Sequence, residues 1–434
     1  MNEFSRRRFI GAAAAAGAAV LGVSGVAKAA STRPVRLAPA TFPSVLKCQG
    51  RTLVDSSGTV MPLMTGFDVQ PVPWSAQSYV DMYNKGARLI RTMVFWDLLE
   101  PTSGTIDSTY VTTELDLHIQ RCVAAKLYTT ISFYFGPGGV HMPSWAIEQQ
   151  PASCMANYIA NGQLATQYLA QRYGDPSDPL GAGQYTPAVI GFGVNEPTPD
   201  DATLAGFEVT LFSQQVTMAS WFRAYAPSWI ITAATAWASS APRPNAAGSG
   251  QTTQTFTGIS STQFSSAGGN WMLEVHDYFK CLTTPGKPNF DGRNTTTGAT
   301  EAVANGGTEI QQDSSGYPGY PPSVSGITRT ICQEQQTAWM ASYLDYCQSA
   351  SVPLFIGEQG WDPVFNTSGG SSFIADKIAL WKTLNPVSIL YWDYNTNQGA
   401  DPFSARPGVG AAGAGSDGWL TVVDTFTSTT WPRP

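Results

Sequence analysis

Histidine and formal charge are both scarce in this sequence. Three histidines occur (His118, His141 and His276), and charged residues make up 13% of the 434, about half the usual share. A histidine-rich metal site is therefore not expected. The six cysteines (Cys48, Cys122, Cys154, Cys281, Cys332 and Cys347) include no CxxC pair, so they carry neither a zinc nor a redox signature. Cys332 and Cys347 fall on one expected helix, about 22 Å apart at ~1.5 Å per residue, too far to bridge. Buried free thiols are the expectation. Apart from Arg6-Arg7-Arg8, clusters of Lys and Arg are missing too, and the formal net charge is −7. That balance argues against a nucleic-acid backbone or an anionic membrane surface as partner. After residue 30, no run approaches the ~18 uninterrupted apolar residues of a bilayer span.

The first thirty residues stand apart. Ser5-Arg6-Arg7-Arg8-Phe9-Ile10 matches the twin-arginine export pattern. An Ala/Gly/Val/Leu run follows, and Ala27-Lys28-Ala29 supplies a small-x-small cleavage site. Residues 1–29 are expected to be a signal peptide, which leaves a periplasmic or secreted protein with no membrane attachment. The competing reading is an uncleaved anchor, weakened by four glycines (Gly11, Gly17, Gly22 and Gly25). Removing this segment takes away four basic residues and one acid, so the formal charge moves from −7 to −10. Residues 30–50 are expected to be an N-terminal extension, and 51–434 a single large domain.

Within that domain, short runs rich in Val, Ile, Phe and Tyr recur near 61–67, 88–95, 128–135, 188–194, 229–234, 271–277, 353–357 and 387–392. Apolar residues at three- and four-residue spacing predict helices over 75–86, 110–125, 154–173, 204–225, 331–349 and 372–384. Strands alternating with helices imply a parallel sheet, and eight of them imply a closed (β/α)8 TIM barrel with long βα loops. Two places fit less well. Residues 235–268 show no strong helix, and the last helix, over 417–426, is faint. A hairpin over 51–62, turning at Ser56-Ser57-Gly58, is expected to plug the barrel floor. Residues 281–328 read as a loop too long to be a mere connector. Gly408 to Gly413 matches a dinucleotide fingerprint by letters alone, since no strand precedes it.

In such barrels the chemistry sits where strands end at the carboxyl-terminal face. The fourth strand delivers Asn195-Glu196-Pro197, and the seventh delivers Glu358 after Gly357, 162 residues later. A carboxylate at the tip of an apolar strand is costly unless it is used or paired. Asp68, Arg91, His276-Asp277-Tyr278 and Trp392 would converge on the same face. Glycosidic cleavage needs this set: one protonated carboxyl for the departing oxygen, and one ionised for the anomeric carbon or for water. Arg91 and Tyr278 would hold the nucleophile ionised, Asn195 would bind a sugar hydroxyl, and Trp392 would offer a flat apolar face. Glu274 and Asp277 read as structural partners of His276, and Glu100 as the start of a loop.

These residues resemble glycoside hydrolase family 5, in the clan of retaining glycosidases whose two glutamates end strands four and seven. The likeness rests on Arg91, Asn195-Glu196-Pro197, His276-x-Tyr278, Glu358 and Trp392. Gly66-Phe67-Asp68, Trp96, Glu100-Pro101 and Gly104 extend it, so that it covers roughly residues 50–395. It implies acid/base work for Glu196, nucleophilic attack by Glu358, a carbohydrate substrate, no metal and no organic cofactor. There are two departures. Ile131 to Gly136 lacks the histidine many members carry after strand three, so that either Tyr134 replaces it or His141 folds back. Asp68 also stands where Asn is more usual. Hydrolysis of β-linked glucan or mannan polysaccharides or oligosaccharides is the leading reading. A transglycosylase, a glycolipid-directed glycosidase and a non-catalytic sugar-binding barrel are its rivals. A monomer is expected. Trp145, Trp237 and Tyr320, in the 136–150 and 281–328 loops and after strand five, are candidate stacking surfaces.

Overall fold

A computed structural model of the chain describes residues 45–71, 74–135, 141–146, 154–175, 177, 187–197, 207–235, 260, 262–277, 280–282, 309–311, 321, 328–360 and 370–392. Eight parallel strands close into a barrel: β1 (Met64–Val69), β2 (Ala87–Val94), β3 (Tyr128–Tyr134), β4 (Val189–Asn195), β5 (Ile230–Ala234), β6 (Trp271–His276), β7 (Leu354–Gln359) and β8 (Ser388–Tyr391). Closure comes from β8 beside β1, with Ser388 opposite Met64 and Tyr391 opposite Phe67. Each strand read from the sequence is present, its ends moved by three residues at most. The runs are apolar because both faces are buried, one against the helices and one inside the barrel.

Alternation sorts those faces. On β6, Trp271, Leu273 and Val275 join the outer core, whereas Met272 packs in the floor cluster. The floor is plugged by Leu46 and Leu53, against Met64, Leu89, Tyr128 and Phe355. Its hairpin differs from the expected one. Lys47–Gln49 pairs with Thr52–Val54 and turns at Gly50, whose φ of +56° is readily open to glycine. The Ser56-Ser57-Gly58 turn is a second one, closed by a Val54–Val60 bridge. The plug therefore begins on the N-terminal side of the boundary drawn at residue 51, because two three-residue strands are too short to show a period-2 pattern.

The helices follow the sequence with local breaks. The 154–173 pattern is two helices, Cys154–Asn161 and Gln163–Gly174. They part at Gly162, where a Cβ would meet the Tyr158 ring at 2.2 Å. The 110–125 pattern contains a π-helical turn, Val111–Leu115, ahead of Asp116–Ala124. Phe207–Arg223, Arg329–Ala350 and Gly370–Leu384 match their patterns closely. Between β5 and β6 the described residues hold only a 3-10 turn, Ser265–Ala267. Inside the segment read as a long loop, Lys280–Leu282 pairs antiparallel with Glu309–Gln311, a ribbon too short for its sequence to announce. The 417–426 helix and the 408–413 glycine run lie outside the described residues, as does the proposed leader. None of the described helices is long and apolar enough to cross a membrane.

Candidate active site

The carboxyl ends of the strands bring a dense charge cluster into the barrel mouth. Arg91, fully buried on β2, is its hub. Its Nε donates to Asp68 Oδ1 at 2.6 Å, its Nη2 to Glu358 Oε1 at 2.6 Å, and its Nη1 to Glu274 Oε1. A planar guanidinium with five fixed donors suits three acids on three strands. Burial opposes its charge, but the three carboxylates more than compensate and raise its pKa further.

His276, at the end of β6, lies between the two glutamates. Its Nδ1 is 3.3 Å from Glu196 Oε1 and 3.2 Å from Glu358 Oε2, and its Nε2 is 3.5 Å from Glu274 Oε1. Burial pulls its pKa down, yet Glu358, Glu196 and Glu274 together push it up to about 10. That direction favours the imidazolium form at neutral pH. Burial raises Glu358, and the charge of Glu196 adds to this, while His276, Arg91 and Asn195 pull it back. Asp68 is raised well above the carboxylate range, by burial first and against the pull of Arg91.

Local backbone shape aims these groups. Strict alternation would send Glu358 outward with Leu354 and Ile356, which belong to the outer core. The register of β7 slips by one residue against both neighbours: Ile356 faces Val275 but Glu358 faces His276, and Ile356 faces Ile389 but Gln359 faces Tyr391. The extra residue is Gly357, a bulge that turns Glu358 into the barrel. Only glycine fits there, because a Cβ would lie 2.4 Å from Glu274 Oε1. Across the mouth, Glu196 follows β4 in a left-handed conformation, φ +48°, a rare state for a non-glycine and common at functional sites. One oxygen each of Glu196 and Glu358, together with a His276 nitrogen, lie within 4.8 Å of one another. Those three atoms have the spacing of a metal site. However, a cation there would have to displace the His276 proton and sit in the field of Arg91.

Several buried atoms lack a partner among the described residues: Asn195 Oδ1, Asp68 Oδ2 and Glu274 Oε2. Unpaired groups of this kind are costly, and here they surround the two glutamates, where a polar ligand would satisfy them. An aromatic wall flanks them. Trp392, half-buried, stacks on Tyr134 with ring centroids 5.5 Å apart and 28° between the planes. Tyr134 in turn meets His141 at 5.6 Å, and His141 stacks on Phe95 at 3.8 Å. Tyr134 occupies the end of β3, and His141 lies beside it.

The sequence-level assignments sort clearly. Asp68, Arg91, Asn195, Glu196, His276, Glu358, Tyr134 and Trp392 converge on the mouth, and Tyr278 lies outside the described residues. Asp277 is structural, bound by Lys377 Nζ at 2.6 Å and Trp381 Nε1 at 2.7 Å. Glu100 does start a loop, which it anchors by accepting from Trp96 Nε1 and Gly104 N. Trp145, half-buried, packs edge-on to Trp96 and donates to Glu100 O. Trp237 and Tyr320 lie outside the described residues. Glu274 is a partner of His276, as expected, and belongs to the Arg91 cluster as well. The signal was available, since Glu274 and His276 are two apart on one strand and must share a face.

No family model matches the chain, and no curated protein matches it. Solved structures do. An endogalactoceramidase superposes with a TM-score of 0.59 at 14% identity, over 88% of this chain and 84% of the other. Endo-glycoceramidase II from Rhodococcus sp., in an iminocyclitol complex, gives 0.54 at 15% identity, over 88% and 81%. An exo-β-1,4-mannosidase from Opitutaceae bacterium strain TAV5 gives 0.52 at 12%, over 87% and 62%. The shared feature is the fold. It is the barrel that the family 5 resemblance implies.

Proposed function

We propose that the protein is a retaining β-glycosidase that hydrolyses β-linked glucan or mannan polysaccharides or oligosaccharides by double displacement. The observation that carries this reading is that one oxygen of Glu196 and one of Glu358 lie within 4.8 Å of each other, with His276 between the two residues. Retaining enzymes set their carboxyl groups about 5–5.5 Å apart, whereas inverting ones leave ~6.5–9.5 Å for a water. In the first step Glu358 attacks the anomeric carbon, the glycosidic C–O bond breaks, and Glu196 gives its proton to the departing oxygen. In the second step Glu196 takes a proton from water, whose oxygen displaces Glu358 from the sugar. Arg91 keeps Glu358 an anion before attack and a good leaving group afterwards. Asn195, next to Glu196 at the end of β4, would bind the sugar hydroxyl beside the reacting carbon, and Trp392 on Tyr134 would carry the apolar face of the ring.

A second reading is a glycolipid-directed glycosidase on the same residues, favoured by similarity to the endogalactoceramidase and endo-glycoceramidase barrels. Transfer to a sugar acceptor would use the same first step. We further propose export by the twin-arginine route and action as a monomer outside the cytoplasm. The test is an assay of the purified mature protein on β-glucans, mannan, xylan, aryl β-glycosides and glycosphingolipids, with Glu358→Gln alongside. Cleavage of one substrate that collapses in the variant supports the reading and names the substrate class. Wild-type cleavage matched by Glu358→Gln contradicts the site.

A further inference from the structure

Glu274 has no part in the two-step chemistry, yet it is fully buried at the centre of the cluster. Two charged groups converge on its Oε1: Arg91 Nη1 donates to it, and His276 Nε2 lies 3.5 Å away. Gly357 leaves the space it occupies. The opposite nitrogen of His276 faces both glutamates at nearly equal distances, 3.3 and 3.2 Å. One N–H, hydrogen-bonded to Glu196, therefore lies within reach of both carboxylates.

We propose that Glu274 is a positioning residue that keeps His276 doubly protonated, so that its single Nδ1–H follows the negative charge from Glu358 to Glu196 during turnover. The inference rests on the glycosidase reading. Before attack, Glu358 is the anion and takes the Nδ1–H bond. Once Glu358 is esterified and Glu196 has lost its proton, the anion is Glu196, and the same N–H turns to it. Nothing but a hydrogen bond moves in this exchange, and the imidazolium keeps both protons. A neutral ring would lend no charge to either anion, which is why a permanent acceptor at Nε2 matters. The charged groups around His276 are Glu196 from the end of β4, Glu358 from β7 and Glu274 from β6, with Asp68 of β1 and Arg91 of β2 behind them. Asp277 is engaged with Lys377 and Trp381.

Nitrogen-15 NMR of the histidine rings tests this in the intact protein, because only three histidines give signals. In the wild type, His276 should show two N–H groups at pH 8, while His118 stays neutral. In Glu274→Gln, the His276 midpoint should fall by at least one pH unit with His118 and His141 unmoved. The basic limb of kcat/KM should move down in pH by the same amount. A wild-type His276 that titrates near its ordinary 6.5 overturns the proposal even if the variant does not fold. An unchanged midpoint in a folded variant overturns it as well. The NMR result needs no substrate. A doubly protonated His276 in a protein without hydrolytic activity would uphold the role of Glu274 and reject the glycosidase.

Discussion

The two ends of the barrel interior are built from the same strands and have opposite chemistry. On β2, Leu89 packs in the floor and Arg91, two residues on, holds three acids at the mouth. On β6, Met272 lies in the floor, while Glu274 and His276 occupy the next inward positions. On β7, Phe355 belongs to the floor and Glu358 reaches the mouth through the bulge at Gly357. Floor residues form an apolar cluster, so their worth is chiefly area removed from water. Mouth residues are charges taken out of water, and they are tolerable only as a complete set. The contrast assigns stability to one end and chemistry to the other.

The sharpest break of that contrast is Glu196→Gln. It should cut cleavage of substrates with poor leaving groups by about 10²–10⁴-fold while leaving the melting temperature near wild type, as steady-state kinetics and calorimetry would show. Arg91→Leu comes next. It strands Asp68, Glu274 and Glu358 without their cation, and should cost about 3–5 kcal/mol in urea unfolding as well as activity. A loss of activity alone would mean that the hub does not hold the mouth together. Leu53→Ala should do the reverse at the floor: about 2–5 kcal/mol of stability lost, with kcat unchanged at temperatures where the variant is folded.

The smallest effect separates two buried histidines. His118 sits behind the barrel wall against Tyr79 Oη at 2.7 Å and Thr92 Oγ1 at 2.8 Å. Burial, with the charge of Arg121, holds its pKa down at about 3. A depressed histidine contributes stability above its unfolded value near 6.5, and that stability is lost as pH falls toward 3. His276, raised to about 10, contributes stability below about 6.5 that is lost as pH rises toward 10. The two histidines should therefore make unfolding free energies measured from pH 3 to 10 decline on both sides of the range near 6.5. No decline between pH 7 and 10 would contradict a charged His276.

Much of this was legible in the sequence. Eight apolar runs separated by helical periods were enough for the barrel, because strands buried on both faces leave long uninterrupted signatures. Both glutamates were legible because a charge ending such a run needs a reason. Three features were not. The plug strands, three residues each, are shorter than any period that could reveal them. The bulge at Gly357 is a change of register between strands, which no single strand records. Glu274 was visible two residues before His276, but its second partner, Arg91, is 183 residues away in the chain. Only the closure of the barrel brings them together.

Retention is the central claim, and proton NMR of the first product reads it directly. The β-glycoside that the protein cleaves should be followed from the earliest seconds, before mutarotation mixes the anomers. The β-anomer should appear first and the α-anomer only later. The α-anomer appearing first would mean inversion, and Glu358 would not be the nucleophile.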